Sequence, residues 1–203
     1  MKKIAGFLLY TCTMFFLCGT ANATIINSIA GLTSPATTIA FDELSLTSHT
    51  SVTNQYSSFG VTFTPNLYQE NSVSSSIVNI DDFHLSNFRP TINPFEIGFV
   101  TDQTEVAFIF VTNPGRISTF ATYLDGMFIE SATFSTDYTS SDNWYHFSGY
   151  SFDKILISIA GNDQYMRLDT IQLTSPVPEP ATMLLFGLGI LGLAGVSRKK
   201  LGK

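Results

Sequence analysis

Cysteine is nearly absent from this sequence, and the two that occur, Cys12 and Cys18, lie within the first 23 residues. If that segment is removed, no cysteine remains, which excludes a disulfide framework, a thiolate metal site and a cysteine nucleophile. Charged residues make up only 13% of the chain, but aromatic residues also reach 13%, and this composition argues against intrinsic disorder. The rest of the chain must therefore fold by side-chain packing.

Basic residues are almost as scarce in the middle of the chain. Residues 24–176 hold four basic against fifteen acidic residues, which gives this segment a net charge of −11. Because nucleic-acid binding requires a surface that neutralises phosphates, this charge argues against nucleic acid as a partner. A segment of about 150 residues is long enough for one domain with a hydrophobic core.

Residues 1–23 have the features of a secretory signal peptide. Two lysines precede an apolar run over residues 4–17, and the small residues Ala21 and Ala23 occupy positions −3 and −1 of a signal-peptidase site. Cleavage there would make Thr24 the first residue of the exported chain, with signal peptidase as a partner. The alternative reading of this segment is an uncleaved membrane anchor.

The segment 177–203 places a Pro-Glu-Pro tripeptide, an apolar run and a basic cluster one after another. The residues concerned are Pro178, Glu179 and Pro180, the run 181–196, and Arg198, Lys199 and Lys200. As a helix, the run would be about 24 Å long, and flanking lysines could extend its reach across a membrane core of about 30 Å. We predict a single membrane helix over about 181–196, with the basic cluster in the cytoplasm and the acidic domain outside.

This tail resembles the PEP-CTERM sorting tail, which has the same three parts in the same order. The resemblance implies a protein exported by a Gram-negative bacterium that makes extracellular polysaccharide. It also implies processing of the tail by an exosortase, a membrane enzyme. The chain would then be an inner-membrane-anchored precursor first and a cell-surface or extracellular protein after processing, so its contact with the inner membrane would be transient.

The middle segment, residues 24–176, has the period of β-strands. Apolar side chains alternate in 59–63, 127–134 and 154–159, and strands are also predicted in the following segments: 37–42, 76–80, 95–100, 104–111, 116–124, 143–150 and 164–173. Asp125-Gly126 is the best two-residue hairpin turn, joining 116–124 to 127–134. Some nine to eleven short strands predict one all-β domain, an antiparallel β-sandwich of jelly-roll-like topology.

Two further stretches resemble domains often joined to this tail and, at the last strand, jelly-roll carbohydrate-binding modules. The opening stretch contains 39–44, 52–56 and 59–63, and the closing one contains 152–155 and 168–173. In many such modules an acid near the first strand and an aspartate on the last strand hold a structural calcium ion. The resemblance implies that Asp42 or Glu43, together with Asp169, would be the calcium ligands here. Oxygen ligands of this kind suit calcium, and the alternative is that they are ordinary solvated residues.

No motif in the sequence predicts catalysis. There is no G-x-S-x-G elbow and no paired-histidine metal spacing, although paired carboxylates for glycoside hydrolysis leave no local signature. Aromatic residues are the remaining candidates for ligand binding, and Trp144 with Tyr145 could form a platform on which sugar rings stack. The alternative is that these rings belong to the core.

We therefore predict an exported, non-enzymatic adhesion or binding module. Its expected ligands are polysaccharides, such as the exopolysaccharide of a biofilm. The alternatives are a secreted polysaccharide hydrolase and a structural matrix protein that has no small ligand.

Overall fold

The computed structural model describes residues 24–72, 77–87, 93–161 and 165–174, and these residues form an all-β domain. The eleven strands are β1 (Thr24–Ser28), β2 (Thr37–Ile39), β3 (Ser51–Val52), β4 (Val61–Thr64), β5 (Leu67–Glu70), β6 (His84–Ser86), β7 (Phe95–Thr112), β8 (Ile117–Leu124), β9 (Met127–Ser135), β10 (Trp144–Ile159) and β11 (Met166–Leu173). One short 3₁₀ turn, Ser57–Phe59, precedes β4. All strand pairs are antiparallel, which confirms the predicted fold class.

The strands form two layers because β7 and β10 are long and change partners halfway along. The first half of β7 and the second half of β10 belong to one layer, with the order β4-β7-β10-β8-β9. The second half of β7 and the first half of β10 belong to the other layer, where β11 and β1 flank them. In this second layer β6 and β2 pair with opposite halves of β11, and β5 and β3 follow β6.

The two long strands pass between the layers through bulges. Ser148 pairs with Glu105, and Phe152 pairs with Gln103, but Lys154 pairs with Gly98. Each strand therefore has extra residues that lack a register partner, and such bulges bend a strand and redirect its side chains.

Aromatic side chains fill the space between the layers. Phe120, on β8 of the first layer, is fully buried, and its ring centroid lies 4.6 Å from that of Tyr145 on β10 in the second layer. The same ring also lies 5.5 Å from Phe110 and 5.9 Å from Phe108, both on the second half of β7. Because stacked and edge-on rings add to the energy of area burial, this cluster joins the two layers firmly.

The hairpin turn predicted at Asp125-Gly126 is confirmed. Both residues have positive φ, 51° and 78°, as a type I′ turn requires, and β8 pairs with β9 on either side of them. The strand predicted at 76–80 is wrong over its described part, because residues 77–80 form a turn. Among residues 24–174, as far as they are described, no helix has the length and apolar character needed to cross a membrane. The predicted signal peptide and the predicted membrane helix lie outside the described residues.

Candidate functional site

The two aromatic residues predicted to stack on sugar rings lie on opposite faces of the second layer. Tyr145 is 1% exposed and its ring faces the core. Trp144 is half-buried on the outer face, where it packs against a small cluster of buried side chains that includes Ile109 and Val111. The backbone of Gly31 covers part of its ring, since a Cβ atom there would lie 2.7 Å from the Trp144 ring. These positions do not form a shared exposed platform.

Asp169 is a fully buried carboxylate at the outer face of β11. Its Oδ2 accepts a hydrogen bond from the backbone amide of Asp81 at 2.8 Å, and its Oδ1 accepts one from the amide of Thr170 at 2.7 Å. Burial raises the pKa of this carboxyl to about 7, although the two amide hydrogen bonds act in the opposite direction. Asp169 thus holds the loop before β6 against the second layer.

The other predicted calcium ligands, Asp42 and Glu43, are exposed. Glu43 accepts a hydrogen bond at Oε1 from the backbone amide of Ala40 at 2.7 Å. Each oxygen of Asp169 accepts one amide hydrogen bond and has a second lone pair, so these bonds neither create nor exclude a calcium ligand. No group of three or more histidine, cysteine or acidic side chains that could hold a metal occurs in the part of the chain that the structure describes. Calcium binding stays a prediction from the resemblance.

Because the pKa of Asp169 is raised in the folded chain, we expect this residue to make stability depend on pH. The folded-state pKa of about 7 lies above the ordinary value of 3.8, so the folded chain binds this proton more tightly than the unfolded chain. The contribution of Asp169 to stability should therefore be greatest below about pH 4, fall as the pH rises to about 7, and level off above that. Asp169→Asn cannot ionise, so we expect urea midpoints measured in chelator to lose this slope. Asp42→Asn, at an exposed carboxyl, is the control and should keep it; an unchanged slope in Asp169→Asn would contradict the assignment.

A separate open cleft of about 270 Å³ lies where four distant segments meet at one edge of the domain. They are the 3₁₀ turn Ser57–Phe59 with Gly60, the bulge of β7, the start of β2 and the end of β11. The cleft is next to Thr174, the last described residue before the C-terminal tail.

The 3₁₀ turn Ser57–Phe59 and Gly60 form one wall of this cleft. Tyr56 is buried, and its carbonyl oxygen accepts hydrogen bonds from the amides of Phe59 and Val61 at 3.0 and 3.2 Å, which closes the 3₁₀ turn. Gly60 then takes φ +101°, a conformation that favours glycine, and its carbonyl oxygen accepts a hydrogen bond from the amide of Val100 at 3.0 Å. The turn is therefore attached directly to the bulge of β7.

The bulge of β7 forms the adjoining wall and contains a buried glutamine. Gln103 is 3% exposed, and its Nε2 donates to the carbonyl oxygen of Thr101 at 2.9 Å and to the hydroxyl of Thr101 at 3.2 Å. Its Oε1 is buried and accepts no hydrogen bond from any residue that the structure describes. A buried polar atom without a partner is costly and therefore calls for an explanation.

The remaining lining combines hydroxyl and apolar groups. Ser57 and Ser58 are exposed beside the half-buried ring of Phe59, and Val100 is an apolar residue that is 58% exposed. Among the described residues that line the cleft, none has a charged side chain. Sequence reasoning missed this site because no spacing pattern links its four segments. Gln103 lies in the polar stretch 101–105 and does not stand out there, so the only sequence signal is a glycine after a turn.

The C-terminal segment is identified by comparison with known families. Residues 176–199 match the family model of the PEP-CTERM protein-sorting motif. The chain carries a PEP-CTERM sorting motif. The match contains five of the predicted sorting residues, and Lys200 directly follows it. A PEP-CTERM motif marks an exported protein that an exosortase processes at the membrane.

Solved structures with some similarity to the chain include carbohydrate-binding modules. CsCBM6-3 from Clostridium stercorarium, in complex with cellobiose, is 11% identical with a TM-score of 0.35 over 69% of this chain and 94% of that module. BiXyn10A CBM1 is 11% identical with a TM-score of 0.32 over 70% and 99%. CBM6cm-2 from Cellvibrio mixtus lichenase 5A, in complex with cellotriose, is 13% identical with a TM-score of 0.25 over 71% and 100%. No curated protein sequence matches the chain. Because these TM-scores are low, the fold assignment is based on the strand pairing described above.

Proposed function

We propose that this chain is an exported, non-enzymatic binding module that its PEP-CTERM tail sorts to the cell surface or extracellular matrix, where it binds polysaccharide. Signal peptidase would remove residues 1–23 and exosortase would process the tail. The observation that supports the proposal most strongly is that the sorting motif, residues 176–199, directly follows an all-β domain. The domain's open cleft, lined by hydroxyl, amide and apolar groups, further supports it.

The chemistry of the cleft favours binding over hydrolysis. Hydrolysis of a glycosidic bond ordinarily requires two carboxyl groups on either side of the bond. None of the described residues that line the cleft is an aspartate, a glutamate or a histidine. A polymer held in this cleft would therefore be retained rather than cleaved.

Binding of the full chain to the exopolysaccharide of its host tests the proposal. The protein, kept in a non-ionic detergent, would be sedimented with increasing amounts of the polymer, with dextran as the control polymer. We expect saturable co-sedimentation with the host polymer and no release of reducing sugar. Absence of binding would contradict the proposal and favour a structural matrix protein.

The same experiment in calcium and in chelator tests the ion predicted from the resemblance. Two results together would support calcium at Asp42, Glu43 and Asp169. Polysaccharide binding by the wild-type chain would be lost in chelator, and the variant Asp42→Asn would not bind even in calcium. Equal binding in both conditions would show that polysaccharide binding does not need calcium, and the polysaccharide proposal would still stand.

A further inference from the structure

We propose that the cleft between the 3₁₀ turn and the β7 bulge is the polysaccharide site, and that it binds a neutral sugar unit, with Gln103 as a hydrogen-bonding specificity residue. This inference rests on the proposed function, because it names the place and the ligand class of the same binding activity. It goes beyond the sorting motif, which contains no information about a ligand.

Charge determines the class of sugar. A uronate or a sulfated sugar needs a cation to compensate for its charge, and none of the described residues that line the cleft supplies one. The surrounding segment, residues 24–176, carries a net charge of −11 and would repel an anion further. Lys154, one of the four basic residues of this segment, is paired with Glu96 at 3.2 Å. A neutral sugar avoids the cost of an unpaired charge in the cleft.

Hydrogen-bonding capacity explains why the ligand is a sugar and not an apolar molecule. Oε1 of Gln103 lacks a donor among the described residues, whereas Nε2 of the same amide is already bonded to Thr101. A sugar hydroxyl donates and accepts at once, so it can contact the exposed hydroxyls of Ser57 and Ser58 and can satisfy the buried Oε1 when the Gln103 amide turns toward the cleft. An apolar ligand would leave all of these groups unpaired.

The apolar side chains of the cleft also suit a sugar ring. Sugar rings have C–H faces that pack on exposed apolar and aromatic side chains, and the cleft offers Val100 and Phe59 for this contact. The ring of Phe59 is held in place by Tyr56, with ring centroids 6.0 Å apart. The volume of about 270 Å³ lies just below the range of about 300–1,000 Å³ found for pockets that bind drug-sized molecules, so it suits one or two rings of a longer chain.

Two cleft variants and one matched control test the site. Val100→Asp introduces a charge at an exposed position, and Gln103→Met replaces the buried amide by an apolar side chain of similar length. The control, Ile117→Asp, makes the same kind of change at a residue that is 50% exposed on β8, outside the cleft. With the full chain in detergent, we expect Kd for the host exopolysaccharide to rise about tenfold in each cleft variant and to stay within about twofold in the control.

Competition identifies the ligand class in the same assay. Partial hydrolysis of the host exopolysaccharide, followed by anion exchange, gives a neutral and an acidic pool of oligosaccharides. We expect the neutral pool to displace the polymer from the wild-type chain and the acidic pool to leave it bound.

The outcomes separate this inference from the proposed function. If the wild-type chain does not bind the polymer, both fail. If it binds and the two cleft variants bind equally well, the polymer occupies another surface, and this inference alone is overturned. If only the acidic pool competes, the neutral ligand class is overturned. Thermal unfolding of each variant shows whether it is folded, and Val100→Asp keeps the test decisive if Gln103→Met is unstable.

Discussion

Phe120→Ala should lower the free energy of unfolding by about 3–5 kcal/mol, the usual cost of deleting a buried aromatic ring. The ring belongs to the first layer, yet it packs against Tyr145, Phe108 and Phe110 of the second layer. Its removal would leave a cavity at the contact between the layers, and close-packed side chains collapse into such a cavity only in part. Because domains are stable by only about 5–15 kcal/mol, this loss is large enough to unfold a substantial fraction of the protein at elevated temperature.

The measurement is a urea titration of the full chain in detergent, followed by fluorescence. Trp144 is the only tryptophan and is half-buried on the second layer, so its emission should report unfolding of the domain. Phe128→Ala is the control, because it removes the same ring from a position on β9 that is 59% exposed. We expect the control to shift stability by less than about 1 kcal/mol. Equal losses in the two variants would contradict the two-layer core.

Deletion of residues 177–203 should have the largest effect on location. Without the PEP-CTERM motif, matched over 176–199, and without the predicted membrane helix, nothing in the tail would retain or sort the domain. We expect fractionation of host cells to show a shift from protein that sediments with the membranes and matrix to soluble protein in the periplasm or medium. An unchanged share in the membrane and matrix fraction would mean that the tail does not direct sorting.

A second tail variant separates sorting from anchoring. Glu179→Ala changes the Pro-Glu-Pro tripeptide but keeps the apolar run 181–196 and the basic cluster that follows. If the tripeptide is what the exosortase recognises, this variant should accumulate at the membrane with its tail unprocessed, visible as a larger mass than the mature protein. Normal processing of Glu179→Ala would show that the apolar run and the basic cluster suffice.

The sequence predicted those parts of the fold that depend on local chemistry. The hairpin at Asp125-Gly126 could be predicted because a type I′ turn requires residues that tolerate positive φ. The long strands β7 and β10 were predicted as pairs of shorter strands, 95–100 with 104–111 and 143–150 with 154–159. Bulges explain the difference, because they shift the alternation of apolar side chains, and a shifted pattern looks like the end of a strand.

Short strands and the candidate site could not be predicted for different reasons. Strands β3 and β6 have two and three residues, too few to show a period. The cleft depends on tertiary contacts, since Gly60, Gln103 and Thr174 are far apart in the sequence. Trp144 and Tyr145 are aromatic neighbours in the sequence, but strand alternation places their side chains on opposite faces.

The central claim, that the tail delivers a polysaccharide-binding domain to the cell surface, is tested most directly in the host itself. The full chain would be quantified in the cell-associated and cell-free fractions of two strains, one that makes the exopolysaccharide and one in which its synthesis is disrupted. Both strains keep the exosortase, so processing of the tail serves as the internal control. We predict that the processed protein stays with the cells and matrix of the first strain and appears mainly in the medium of the second. The same distribution in both strains would contradict the account.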